Sequence, residues 1–175
     1  RTCIFTHLRK FYGNNSSKPF SAESGIDRGA EHRGNIIGKE MDALGINSVS
    51  APVADVNSNE NNPIIGVRSF GDKSDLVSKM ATAMAQGFES SGVVSCGKHF
   101  PGHGDTATDS HTNLPVVEKS YEEWIKSDGA PFAAMIKAKS TDLIMTAHIQ
   151  YPGLDDTKVL SKSGEKITVP ATMSK

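Results

Sequence analysis

Cysteine is almost absent: Cys3 and Cys96 are the two in 175 residues. They stand far apart and match no zinc-ligand spacing, which argues against a disulfide framework and against a thiolate metal site. Cys96, inside an apolar run, reads as a small core residue. Charge of one sign is missing too, since the formal net charge is −1. A chain so balanced has no electrostatic footprint for nucleic acid or for an anionic membrane. No apolar run approaches the roughly 20 residues of a membrane span. The first residue is Arg1, not Met. The chain therefore reads as a fragment or a processed product, and it leaves localisation open between the cytoplasm and the secreted or wall-associated space.

What is present is enough chain for one domain with a core. Arg1 to Ser24 carries little pattern and reads as a divergent or poorly ordered segment 1–24, set apart from a domain over 25–175. From Ile26 onward apolar residues recur at helical steps: Ile26, Ala30, Ile37, Met41 and Leu44 line one face. Gly34 and Gly38 lie between them and would let this helix sit close to a sheet, and Gly45 ends it. Ile46 to Val53 reads as a buried strand leading into an Asn-rich loop. Asp72 or Ser74 can cap the next helix, whose inner face would be Leu76, Met80, Ala83, Gly87 and Phe88. Val93 to Cys96 is a second strand. Two helices follow, one from Glu118 and one opened by Pro131. Leu143 to Ala147 is a third strand, Asp155 to Ser163 a loop, and Pro170 to Lys175 the start of a further helix. Alternation of this kind implies parallel strands with covering helices. A doubly wound sheet and a (β/α)₈ barrel both satisfy it.

The densest chemistry lies from Cys96 to His111. Lys98, His99, His103, Asp105, Asp109 and His111 share one loop rich in Gly and Pro, placed where a strand ends. Asp55, Lys98, His99 and His148 all fall at predicted strand ends, which share one face in a parallel α/β fold. Arg68 lies in a loop leaving that face. Asp55 can accept hydrogen bonds while Arg68 and Lys98 donate them, a lining suited to sugar hydroxyls. His99, His103, Asp105 and His111 are metal-ligand types, but their spacing fits no usual ligand pattern, so no metal and no other cofactor is expected.

The ordered run Lys98-His99-Phe100-Pro101-Gly102-His103-Gly104-Asp105-Thr106, followed by Asp109-Ser110-His111, resembles the signature of family 3 glycoside hydrolases, in the β-N-acetylglucosaminidase (β-N-acetylhexosaminidase) branch. The resemblance selects the barrel over the doubly wound sheet. A full barrel takes about 250 residues, so it implies a partial (β/α)₈ barrel with parallel strands, truncated before the last ones. It implies retaining hydrolysis of terminal non-reducing β-linked N-acetylglucosamine, with peptidoglycan fragments as natural substrates. By position it implies substrate-binding roles for Asp55, Arg68, Lys98 and His99. His111 becomes the general acid/base with Asp109 as its dyad partner, while His103 and Asp105 support the loop. An imidazole titrates near neutrality, which suits proton transfer. The nucleophilic Asp of the family belongs beyond Lys175, and Asp142, Asp155 and Asp156 do not match its motif. The isolated chain is thus expected to be inactive. The rival readings are a phosphorylase or β-glucosidase of the same family, and a carbohydrate-binding fragment without catalysis.

Overall fold

The computed structural model describes residues 5–7, 25–111 and 113–175, with the side chains of 5–7 and of Ile26 left aside. The expectation for segment 1–24 lies outside these residues apart from Phe5–His7, as do Cys3 and the predicted core role of Ile26. Strand β1 is Phe5–His7, helix α1 Gly25–Ala43, β2 Ser48–Val49, α2 Ser74–Ser90 and β3 Val94–Phe100. Helices α3 (Tyr121–Lys126) and α4 (Gly129–Ala138) follow, then β4 (Leu143–Thr146) and the strands β5 (Lys158–Leu160) and β6 (Lys166–Thr168).

The main sheet has the order β1-β4-β3-β2. β2 runs parallel to β3, and β3 parallel to β4, as the alternation predicts. β1 is the exception: it lies antiparallel along the far edge of β4, with Thr6 opposite Ile144. An unpaired edge exposes a row of N–H and C=O groups, and β1 satisfies them here. β3 continues to Phe100, beyond the predicted end at Cys96, so Lys98 and His99 are strand residues rather than loop residues. Its register with β4 slips between Lys98 and Phe100, which re-aims His99.

Helix α1 packs on α2, not on the sheet as Gly34 and Gly38 suggested. A Cβ on Gly34 would collide with Met84 O, and one on Gly87 with Glu31 O, so the two backbones cross in near contact. The buried stripe of α1 is accordingly Ala30, Gly34 and Gly38, while Leu44 is 78% exposed. In α2 the core face is Val77, Ala81, Ala85 and Phe88, a slightly rotated stripe that leaves the predicted Leu76 half-exposed. Small residues win these positions because both faces of α2 are covered. No side chain caps α2: Ser74 Oγ donates instead to Ser127 O (2.9 Å), and Asp72 pairs with Lys73 (3.4 Å). Helix α3 does have a cap, a box between Ser120 and Glu123. The sheet and α4 close on a core of Ala54, Ala81, Ala85, Phe132, Met135 and Ile144, with Phe70 and Phe100 against it.

The predicted loop after Asp155 is in fact the antiparallel pair β5 and β6, with Val159 opposite Ile167. The expected helix start at Pro170 is a single turn, closed by Met173 N–H on Pro170 O (2.8 Å).

Candidate active site

Asp55 leaves the end of the segment after β2, where Ala54 N–H donates to Lys98 O. Its carboxylate is fully buried, 0% exposed. His99 N–H donates to both oxygens (3.2 Å each), His99 Nδ1 lies 2.7 Å from Oδ2, and His103 N–H donates to Oδ1 (2.7 Å). This carboxylate thus ties the end of β3 to the following loop through His99 and His103. His99 keeps one face toward solvent, its side chain 15% exposed. Lys98, its neighbour on β3, is half-buried. The Lys98–His99 peptide is cis, as are Ala51–Pro52 and Phe100–Pro101.

The loop from Pro101 to Thr106 is fastened on every side. Trp124 Nε1 donates to Pro101 O (2.7 Å), and Tyr151 donates its hydroxyl hydrogen to Gly102 O (3.1 Å). A Cβ on Gly102 would meet Asp128 Cβ, and one on Gly104 would meet Val56 O. Asp105 accepts from Ser58 Oγ (3.1 Å) and faces Lys119 Nζ (3.3 Å), which also holds Asp128 (2.5 Å). Burial pushes the Asp128 carboxyl up, and Lys119 opposes that shift. Burial, then the Asp128 and Asp105 charges, push the Tyr151 hydroxyl up, so it stays a donor. Lys119, Asp128, Trp124 and Tyr151 escaped the sequence reading. Nothing near them in the chain marks them, because the groups they hold lie far away in sequence. The Ser120–Glu123 capping box, overlooked when the helix was expected from Glu118, is the one local signal beside them and sets the start of α3 at Tyr121.

His103 is buried, 2% exposed. Its Nδ1 lies 2.6 Å from Thr106 Oγ1, and its Nε2 lies 2.9 Å from Ser110 Oγ. Thr106 spends its hydroxyl hydrogen on His103 O (2.9 Å). Its oxygen must then accept from His103 Nδ1–H, which leaves Nε2 to accept from Ser110. Desolvation lowers the His103 pKa and keeps the ring neutral.

Asp109 and His111 form the predicted pair. Asp109 Oδ1 accepts from His111 N–H (2.9 Å) and lies 2.7 Å from His111 Nδ1. The two hydrogen bonds from His111 hold the Asp109 carboxyl below its ordinary range. Nδ1 therefore carries the hydrogen toward Asp109, and Nε2 is the atom left to give or take a proton. The His111 side chain is 80% exposed. Through Ser110 the pair is tied to His103, and through His103 to Asp55.

Arg68 ends a 3₁₀ turn, Gly66–Arg68, and is exposed, with Nη1 donating to Ile64 O (3.2 Å). The adjacent Ser69 Oγ donates to Asp55 O (2.6 Å), so this turn is joined to the same network by backbone rather than by the guanidinium. His148, exposed past the end of β4, lies 2.8 Å through Nδ1 from Thr172 Oγ1. Among the described residues no cluster of three or more His, Cys, Asp or Glu side chains could hold a metal ion. No helix among them is long and apolar enough to cross a membrane.

Parallel strands with ionisable groups gathered at their ends and an Asp-x-His pair on the following loop place the chain among the α/β proteins that carry their chemistry at strand ends. The model of the glycosyl hydrolase family 3 N terminal domain matches residues 15–175. The chain belongs to glycoside hydrolase family 3, and it folds as part of that family's N-terminal (β/α)₈ barrel. Beta-hexosaminidase A of Pseudoalteromonas piscicida is 54% identical over 138 residues, 79% of this chain and 23% of that protein. A family 3 beta-N-acetylglucosaminidase from Paenibacillus sp. str. FPU-7 superposes with a TM-score of 0.73 at 44% identity, over 76% of this chain and 25% of that one. NagZ from Neisseria gonorrhoeae, solved with N-trifluoroacetyl-D-glucosamine, gives 0.71 at 35% identity, over 83% of this chain and 39% of that one. The chain thus spans about a quarter of the length of the first of these relatives.

Proposed function

We propose that this chain carries the acid/base half of a retaining β-N-acetylhexosaminidase that removes terminal, non-reducing N-acetylglucosamine. The observation that carries this reading is the Asp109–His111 pair. In the first step His111 Nε2–H gives its proton to the glycosidic oxygen as that bond breaks, and a carboxylate nucleophile takes the anomeric carbon. Asp109 holds the ring's orientation and stabilises the imidazolium. In the second step the neutral Nε2 takes a proton from water, which displaces the carboxylate, and the starting configuration returns. No carboxylate among these 175 residues is assigned as that nucleophile. Asp55, Arg68, Lys98 and His99 are the substrate-binding residues in this reading, and His103 and Asp105 support the loop. Relatives named for hexosaminidase and glucosaminidase activity support the sugar, and peptidoglycan fragments supply it in β-linked, terminal form.

The test uses the natural protein that contains this chain. It should release N-acetylglucosamine from aryl β-N-acetylglucosaminides with the β-anomer formed first, and prefer them to aryl β-glucosides. The isolated 175-residue chain should show no turnover. First-formed α-anomer, or equal rates on both aryl glycosides, would overturn the reading. Faster consumption in phosphate than in a non-coordinating buffer, with sugar phosphate as product, would replace hydrolysis by phosphorolysis.

A further inference from the structure

The loop after β3 has two parts with different surroundings. Pro101 to Thr106 is buried and fastened by Trp124, Tyr151, Asp55 and Lys119. Ala107 to His111, which carries the Asp109–His111 pair, is half-buried to exposed. A ring from the first part reaches a hydroxyl in the second, His103 Nε2 to Ser110 Oγ at 2.9 Å. Ser110 sits between the two members of the pair. Its position therefore sets where both side chains leave the backbone.

We propose that His103 and Ser110 form a latch that holds the Asp109–His111 pair in register with the strand-end cleft. Three observations make the latch directional. Asp55 fixes the His103 backbone from below (2.7 Å). Thr106 takes the Nδ1 hydrogen and thereby fixes the tautomer (2.6 Å). Asn62 Nδ2 then donates to the carbonyls of His103 (2.8 Å) and Thr106 (2.9 Å), so the short segment between them cannot turn away. His103 and Ser110 touch no reacting atom; they are positioning residues. The inference rests on the reading of Asp109 and His111 as the proton-transfer pair.

The test compares Ser110→Ala with Ser110→Thr in the natural protein. Two substrates separate positioning from structure. A chitobiose-type disaccharide needs a proton on its leaving oxygen, whereas a dinitrophenyl glycoside does not. Ser110→Ala should lower kcat/KM for the disaccharide by roughly tenfold, since small misplacements of a proton donor are costly. It should leave the dinitrophenyl value within about twofold, because protonation is not required there. Ser110→Thr, which keeps the hydroxyl, should restore the disaccharide rate. Equal losses on both substrates, or no loss on either, would sink the latch. An independent arm reads the ring itself: in ¹⁵N-histidine-labelled protein His103 should show a protonated Nδ1 and a bare Nε2, with Nε2 shifting in Ser110→Ala. An Nε2–H tautomer would overturn the latch even if hydrolysis were confirmed. Absence of any N-acetylglucosaminidase activity in the unsubstituted protein would instead remove the functional reading, and the tautomer would still decide the latch.

Discussion

At the residue scale the proposed chemistry depends on one exposed imidazole and the carboxylate beside it. Replacing His111 by Ala should cost roughly 10²–10⁴-fold in kcat/KM on substrates with poor leaving groups. The loss should shrink on dinitrophenyl glycosides, and initial-rate kinetics on both substrates check it. Asp109→Asn should cost about 10²-fold on the same poor substrates, because an amide oxygen orients the ring but does not stabilise its cation. These two residues were singled out by the resemblance of the run to the family signature, not by spacing. Asp-x-His lets a side-chain oxygen meet both the backbone and the ring two residues on, and the structure shows both bonds. Asp55 was legible as a strand-end carboxylate, and its hydrogen bonds to His99 and His103 were not. A buried carboxylate with three N–H groups around it is indistinguishable, in sequence, from one that faces a ligand.

At the scale of elements, two features had different fates. The glycines of α1 announced a close approach, and their spacing was read correctly. Their partner was not, since a helix crossing and a helix-on-sheet contact ask for the same small residues. Gly87→Ala should destabilise the fold by roughly 3 kcal/mol, because its Cβ meets backbone atoms of Glu31 and Asn35 that cannot yield without separating the helices. Chemical denaturation gives that difference directly. The braces of the loop after β3 were invisible beforehand, because Lys119, Asp128 and Tyr151 act across long sequence separations. Lys119→Met should cost about 3 kcal/mol, leaving Asp128 buried without its cation. A companion Asp128→Asn change should recover most of that loss, and a double-mutant cycle in the same denaturation assay measures the coupling.

At the scale of the whole molecule, acidity is the lever. His103 has a folded pKa below its ordinary 6.5, so the unfolded chain binds more protons across that window. Stability from the neutral ring is full above about pH 6.5 and is lost as the pH falls toward the lowered value. Asp55 and Asp109 favour the charged ring, while His99 and burial oppose it, and burial is the largest effect. Asp128 runs the other way: its raised pKa means that its contribution is present at low pH and fades as the pH rises from about 3.8. The thermal midpoint should therefore fall between pH 7 and pH 5.5, and His103→Gln should flatten that slope. The overall β/α alternation was readable from periodicity. The β5–β6 pair was not, because two strands of three residues around a polar turn look like a loop.

The placement of Phe5–His7 has its own consequence. A strand has two sides, and β4 already gives one to β3. Its other side is where the next parallel neighbour of a closed barrel would dock. Both cannot occupy it, so any further parallel strand joining β4 would have to take the place of Phe5–His7.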